Sequence, residues 1–422
     1  MRRSEARRSA LAWGRSTVLA LLVSACGGGT DFSELGPPPE GAGWHELAEW
    51  AAAGYRHLGF ELNREEIQVH VRPERDPAEL IDVAAHSLAA QIREVAPRQH
   101  ADTRWMLRRT LGLRAAASPE EQLAEDARAL LRSTPLWYDR RTRVIHVLEH
   151  HPVLQPPATG VARHGPQAER WHLMAHEVAH LLQDQRSSLR ELTERGTYEG
   201  FLLHQCLLEG EAELRSVALA LRLEGRELTG ADLDACVFEL RRLYARSEPS
   251  LYEAGFRHLF RVFQEGGWDA VDQAVLDPHV TTRDLLDGGG RTAGALEVTL
   301  PPWPALGAIE PVWEDVLGAW GLLVILGPDY PSLERLAELT ELALAWRGDR
   351  LAVGHREDGQ PVLVWRLVFA DEAAGRLAAQ SFAGAEGTVA HRGAVVDFVW
   401  TSMPAIEREL LERLHRHPAP GH

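Results

Sequence analysis

Across residues 44–132 apolar side chains recur at helical spacing, as in helices with one buried face. One run breaks that rhythm: Ile67 to Arg72 (IQVHVR) alternates and predicts a strand. Trp137 to Leu148 (WYDRRTRVIHVL) reads as a hairpin, with Asp139-Arg140-Arg141 at the turn and a β-rich run behind it. Its second arm, Val144 to Leu148, suits either a cleft edge that pairs with an extended peptide or an internal sheet strand. Pro152 to Pro166 holds further prolines and glycines and predicts a loop. From Gln167 to about Asp287 the spacing is helical again, until Pro301-Pro302-Trp303-Pro304 marks a break. Beyond it, Leu322 to Leu326 and Val362 to Phe369 read as strands among helical stretches, which predicts a smaller α/β unit. The fold expected is a helix-rich α+β chain.

The residues ahead of Trp44 follow a different pattern. Arg2, Arg3, Arg7, Arg8 and Arg15 form a basic leader, and Ser16 to Ala25 (STVLALLVSA) is an apolar run too short for a permanent membrane helix. Val23-Ser24-Ala25-Cys26 resembles a bacterial lipobox, so Cys26 is the expected lipidation site. The alternative is ordinary signal cleavage after Ala25. Gly27-Gly28-Gly29 and Pro37-Pro38-Pro39 then serve as a tether. Either route takes the chain out of the cytoplasm, as an anchored or a secreted protein of the bacterial envelope.

Composition narrows the class. The 422 residues are 45% hydrophobic and 25% charged, which excludes a disordered chain and a polytopic membrane protein. The formal net charge is −16, and every basic residue is arginine. Nucleic acid and anionic lipid both require a positive patch, so neither is an expected partner. Three cysteines are too few for a disulfide scaffold. Cys206 and Cys236 remain beside Cys26, as a possible disulfide in an oxidising compartment or as two buried thiols.

Residues 176–180 read His-Glu-Val-Ala-His. Two histidines four apart on a helix point the same way, so His176 and His180 can reach one ion, while Glu177 can reach a water bound to it. Trp171, Met174, Val178, Leu181 and Leu182 gather on the opposite side, and His176, His180, Gln183 and Asp184 share the polar front. A cleft-lining helix with an open polar face is expected. A catalytic zinc needs a third ligand. Downstream, a helix over Leu202 to Glu224 carries Leu208-Glu209-Gly210-Glu211-Ala212-Glu213. Glu209 and Glu213 lie on one flank of its apolar stripe and Glu211 on the other. Glu209 is the favoured ligand, with Glu213 expected to accept a ligand histidine's free N–H and Asp184 expected to support the ligands from behind. Glu211 is expected to be indifferent to the site. Gly210, on the stripe, is expected to let this helix approach the one carrying His176.

HEVAHLLQDQ (176–185) followed by LLEGEAEL (207–214) resembles the gluzincin-type metallopeptidases of bacteria and archaea, which show HExxH, LQDQ and EGxA segments in that order. LWYDRRTRVIHV (136–147), YEAGFRHLF with EGGWDAVDQAV (252–275) and WRGDRLAV with VLVWRLVFADEAAGR (346–376) are similar to the same group. One departure is HVTTRDLLDGG after Asp277-Pro278, where such proteins often carry a Ser-Thr-Glu-type segment. The resemblance implies a zincin-like core, one Zn2+ on His176, His180 and Glu209, and Glu177 as general base acting on a peptide or protein substrate.

The expected division is therefore a signal peptide (1–25), a lipidated tether (26–43) and a helical and hairpin part of the catalytic domain (44–165). A zinc-binding helical core (166–290) and the C-terminal unit (291–422) follow. Two other classes fit the residues: a zinc-stabilised, non-catalytic lipoprotein acting as a binding module, and a zinc hydrolase of non-peptide substrates. Tyr252, His279 and His355 are unranked candidates to stabilise an oxyanion.

Overall fold

The computed structural model describes residues 35–63, 66–72, most of 81–89, 98–132 apart from 114, 134–151, 154, 166–187, 196–237 apart from 235, 251–288, 294–302, 309–327 and 333–417. The leader and Cys26 lie outside the described residues. Among those described, no helix is long and apolar enough to cross a membrane. The fold is mixed α+β and rich in helix. In chain order its first elements are α1 (Trp44–His57), β1 (Gln68–Arg72), α2 (Arg98–Thr110), α3 (Pro119–Leu131), β2 (Leu136–Asp139) and β3 (Val144–Leu148). Next come α4 (Pro166–Arg186), α5 (Tyr198–Leu223), α6 (Leu251–Leu276) and α7 (Thr282–Leu286). The rest are β4 (Ile309–Asp315), α8 (Gly318–Leu326), α9 (Leu333–Ala345), β5 (Trp346–Arg356), β6 (Pro361–Phe369), α10 (Glu372–Ser381), β7 (Thr388–Arg392), β8 (Val395–Thr401) and α11 (Pro404–Arg416).

Two compact units interleave along the chain, where the sequence suggested consecutive stretches. One comprises Met1–Pro73, Pro135–Arg186 and Glu211–Leu243; the other comprises Glu74–Thr134, Ser187–Gly210 and Tyr244–His422. The first unit contains the expected hairpin, in a sheet of order β1-β3-β2. β2 runs antiparallel to β3 and β1 parallel to it. β3 is thus the central strand with both edges occupied, and the reading of Val144–Leu148 as an open edge does not hold. The turn closes through Arg143, whose φ of 58° is unusual for a side-chain-bearing residue. Its N–H donates to the Asp139 carbonyl at 2.7 Å, and the Asp139 side chain accepts from Arg141 N–H and the Thr142 hydroxyl. α1 buries Trp44, Leu47, Ala48, Ala51 and Tyr55 at helical spacing and packs on α4. The Tyr55 hydroxyl, wholly buried, donates to the Ala175 carbonyl at 2.8 Å.

The second unit is built on an antiparallel sheet of order β4-β5-β6-β8-β7. Val362 to Phe369 forms a strand, as expected, and lies in the centre of this sheet with every residue buried. Leu322 to Leu326 instead lies in α8. A short apolar run has neither a helical nor a strand period, and only its surroundings decide between them. Here the Asp349 carboxylate accepts the N–H groups of Leu317 and Gly318 at 3.0 and 2.9 Å, satisfying backbone donors at the start of a helix buried nearly all round. Gly210 also meets a different helix from the one expected. A Cβ on Gly210 would overlap the Gly255 backbone, and one on Gly255 would overlap the Cys206 carbonyl, so paired glycines let α5 and α6 cross backbone to backbone. Cys206 and Cys236 are not bridged. The Cys206 thiol is enclosed beside this crossing, and burial pushes its pKa up.

Three buried carboxylates surround the turn ahead of α8. Asp315 accepts Tyr198 N–H at 2.7 Å, at the first residue of α5. Glu199 accepts the N–H and hydroxyl of Thr282 at 2.7 and 2.6 Å. Asp349 also accepts the indole N–H groups of Trp346 and Trp365, each at 3.0 Å. Burial, aided by Asp349 and Asp284, pushes Glu199 up to about 7 against the Thr282 hydrogen bonds. Burial, aided by Asp349, also pushes Asp315 up to about 7, opposed by its backbone donors and Arg350. Both folded-state values exceed the ordinary carboxylate range, so the stability these protons confer is complete below about pH 4 and lost as pH rises to about 7. Glu199→Gln, uncharged at every pH, is expected to gain in melting temperature relative to the wild type across that window. A difference that stays constant from acid to neutral pH, measured by calorimetry, would contradict this account.

Candidate metal centre

α4 and α5 bring the expected ligand groups together. His176 and His180 lie one turn apart on α4, with ring centroids 4.7 Å apart, planes at 86°, and the two Nε2 atoms separated by 3.1 Å. Glu209 on α5 joins them: one ligand atom from each of the three residues lies within 4.8 Å of the others. The histidines are buried and the glutamate half-buried. Bonds of about 2.0–2.1 Å put two tetrahedral zinc donors about 3.3 Å apart, close to the separation of these nitrogens.

The groups behind the histidines explain why the nitrogens face each other. Glu213 Oε1 lies 3.1 Å from His176 Nδ1, and its Oε2 lies 3.4 Å from His172 Nε2. Burial alone would push the Glu213 carboxyl up, but the His176 and His172 rings outweigh it and hold it well below the usual carboxylate range. Glu213 thus stands where the sequence placed it, behind a histidine. His180 Nδ1 lies 2.8 Å from Gln183 Oε1. The Gln183 oxygen on His180 Nδ1 and the Glu213 carboxylate beside His176 Nδ1 favour the ring proton on those atoms, which leaves a lone pair on each Nε2. Two lone pairs 3.1 Å apart in a buried site are relieved by a cation between them, or by a proton on one Nε2 that donates to the other. The donor set therefore suits a metal cation.

No family model matches the chain, and no curated protein or solved structure is significantly similar to it. The functional reading accordingly rests on the geometry of this centre.

That geometry departs from the sequence reading at three points. Every residue from Met174 to Asp184 is buried, so the polar side of this stretch of α4 is covered where an open face was expected. Its polar side is covered by carboxylates of α5. Gln183, not Asp184, stands behind His180. Asp184 instead accepts the Tyr138 hydroxyl at 3.0 Å and pairs with Arg143 at 3.1 Å, tying α4 to the β2–β3 hairpin. Arg143 reaches on to Glu66 at 3.3 Å across the wall of a cavity of about 770 Å3 at the last turn of α4. Glu177 is buried beside His176. Of the unranked oxyanion candidates, His279 and His355 are exposed and Tyr252 is partly buried.

The third departure is Glu211. It has no exposed surface, and it accepts from Gln183 Nε2 at 3.0 Å and Arg215 Nε at 2.6 Å, and also from Arg186. Burial opposes a charge on Glu211, yet Arg215, Arg186 and the Gln183 amide overcome it and lower its pKa. Arg215 is itself fully buried, with its guanidinium 4.1 Å from the centre of the Phe60 ring. The i,i+4 spacing of Glu211 and Arg215 was a visible signal for this pair. Glu211→Ala would leave a buried guanidinium without its main counter-charge, a loss of about 3–5 kcal/mol. Urea unfolding should register that loss with little change in slope, and Glu211→Gln should lose less.

Proposed function

We propose that the chain is a zinc-dependent metallopeptidase with a zincin-like core and the donor set of the gluzincin type. The observation that supports it is the convergence of His176, His180 and Glu209, with a glutamate directly after the first histidine. In this reading His176, His180 and Glu209 hold the zinc. Bound there, the ion supplies a Lewis acid that polarises a carbonyl and makes a water more acidic. Glu177 takes the proton from the attacking water and delivers it to the leaving amide nitrogen. Glu213 fixes the orientation of the His176 ring through Nδ1, and Gln183 does the same for His180.

Glu177→Gln preserves size and removes the base. Zinc content should stay near that of the wild type while peptide turnover falls about 10²–10⁴-fold. His180→Ala and Glu209→Ala should instead lower zinc content and melting temperature together. Cleavage of a peptide library, with and without chelator, alongside metal analysis of each variant, checks both expectations. Chelator-sensitive cleavage that survives in Glu177→Gln would remove Glu177 from the role given to it.

The same proposal takes Val23-Ser24-Ala25-Cys26 as a lipobox and the protein as an anchored lipoprotein of the bacterial envelope. Cys26→Ser should abolish lipid labelling and release the protein from membranes. Equal retention of both forms after a high-salt wash would overturn the anchor.

A further inference from the structure

Gln183 has a carbonyl oxygen on one neighbour and an amide nitrogen on the other. Its Oε1 faces His180 Nδ1 at 2.8 Å and its Nε2 donates to Glu211 Oε2 at 3.0 Å. Turned over, the amide would set its oxygen against the Glu211 carboxylate, a repulsion in a site where Gln183 is 1% exposed. A negative charge on Glu211 therefore selects one orientation, and Arg215 and Arg186 bind that charge in place. The polarity runs in one direction, from the arginines through Glu211 and Gln183 to the imidazole.

We infer that Glu211, braced by Arg186 and Arg215, is a positioning residue that acts through Gln183 to lock His180 in the Nδ1–H tautomer. The alternative tautomer would carry its proton on Nε2, the atom 3.1 Å from His176 Nε2, and block the coordinating lone pair. His176 reaches the same state by a separate route, through the Glu213 carboxylate. The ligand pair is thus oriented by two independent supports, one ionic and direct, the other ionic and relayed by a neutral amide. The consequence for zinc affinity rests on the metallopeptidase reading, whereas the tautomer does not.

The test is nitrogen NMR of 15N-histidine-labelled, metal-free full chain at about pH 8, above the ordinary imidazole range. His180→Gln assigns the signals. The wild type should show His180 protonated at Nδ1. Gln183→Met, which removes the acceptor at similar size, should move the proton wholly or partly to Nε2 and weaken zinc binding about 10–100-fold. Glu211→Gln should give a mixture of tautomers. The double exchange Gln183→Glu with Glu211→Gln keeps an acceptor on His180 and a donor on residue 211, and should restore both tautomer and affinity. A wild-type His180 with its proton on Nε2 overturns the inference by itself, even if a variant fails to fold. Retention of a pure Nδ1–H tautomer in a folded Gln183→Met does so too. If the wild type binds no zinc while the tautomer pattern holds, the lock stands and the metallopeptidase reading fails.

Discussion

An ion pair with no access to water, Glu211 with Arg215, is the interaction on which the arrangement of α4 and α5 depends. A buried charge is tolerated only when it is paired and hydrogen-bonded. Here the requirement is met from both helices: Arg215 comes from α5, and Arg186 and Gln183 come from α4. Each partner fixes the carboxylate from a different direction. Sliding one helix by a residue would break several charged contacts at once. The register that satisfies Glu211 at one end of the contact also sets Glu213 against His176 and His172 at the other.

Much of the site was legible in the sequence, because ligand geometry on a helix depends on spacing alone. His176 and His180 share a face by their four-residue interval, and Glu209 and Glu213 share a flank for the same reason. The pairing of Glu211 with Arg215 was signalled by its i,i+4 spacing, but the contacts of Glu211 with α4 were not legible. A helical wheel records which residues are neighbours on one helix but contains nothing about how a second helix crosses it. Both flanks of α5 reach α4, Glu211 towards Gln183 and Arg186, and Glu213 towards His172 and His176. The glycine on the stripe illustrates the same limit. Gly210 announced a close approach, but only the structure identifies α6 as the helix approached.

The fold shows a similar division. The hairpin, the strand at 68–72 and the long helices over 166–186 and 198–223 follow from periodicity and turn residues. The misread element is the apolar run at Leu322 to Leu326, whose helical state depends on acceptors contributed by Asp349, distant in sequence. Sheet order was equally invisible. Nothing in Val144 to Leu148 signals that a strand from residues 68–72 lies along its free side.

That mixed three-stranded sheet also bears on how the first unit forms. β2 and β3 meet across a turn of a few residues, a closure with little chain entropy to lose. β1 must find the opposite edge of β3 from far upstream in the sequence, in a parallel pairing that no local turn can start. Contacts between distant segments are the slow ones. Loop-closure entropy therefore favours the hairpin as the template on which β1 pairs. Tyr138 and Arg143, which hold the last turn of α4 through Asp184, both belong to that locally closed hairpin.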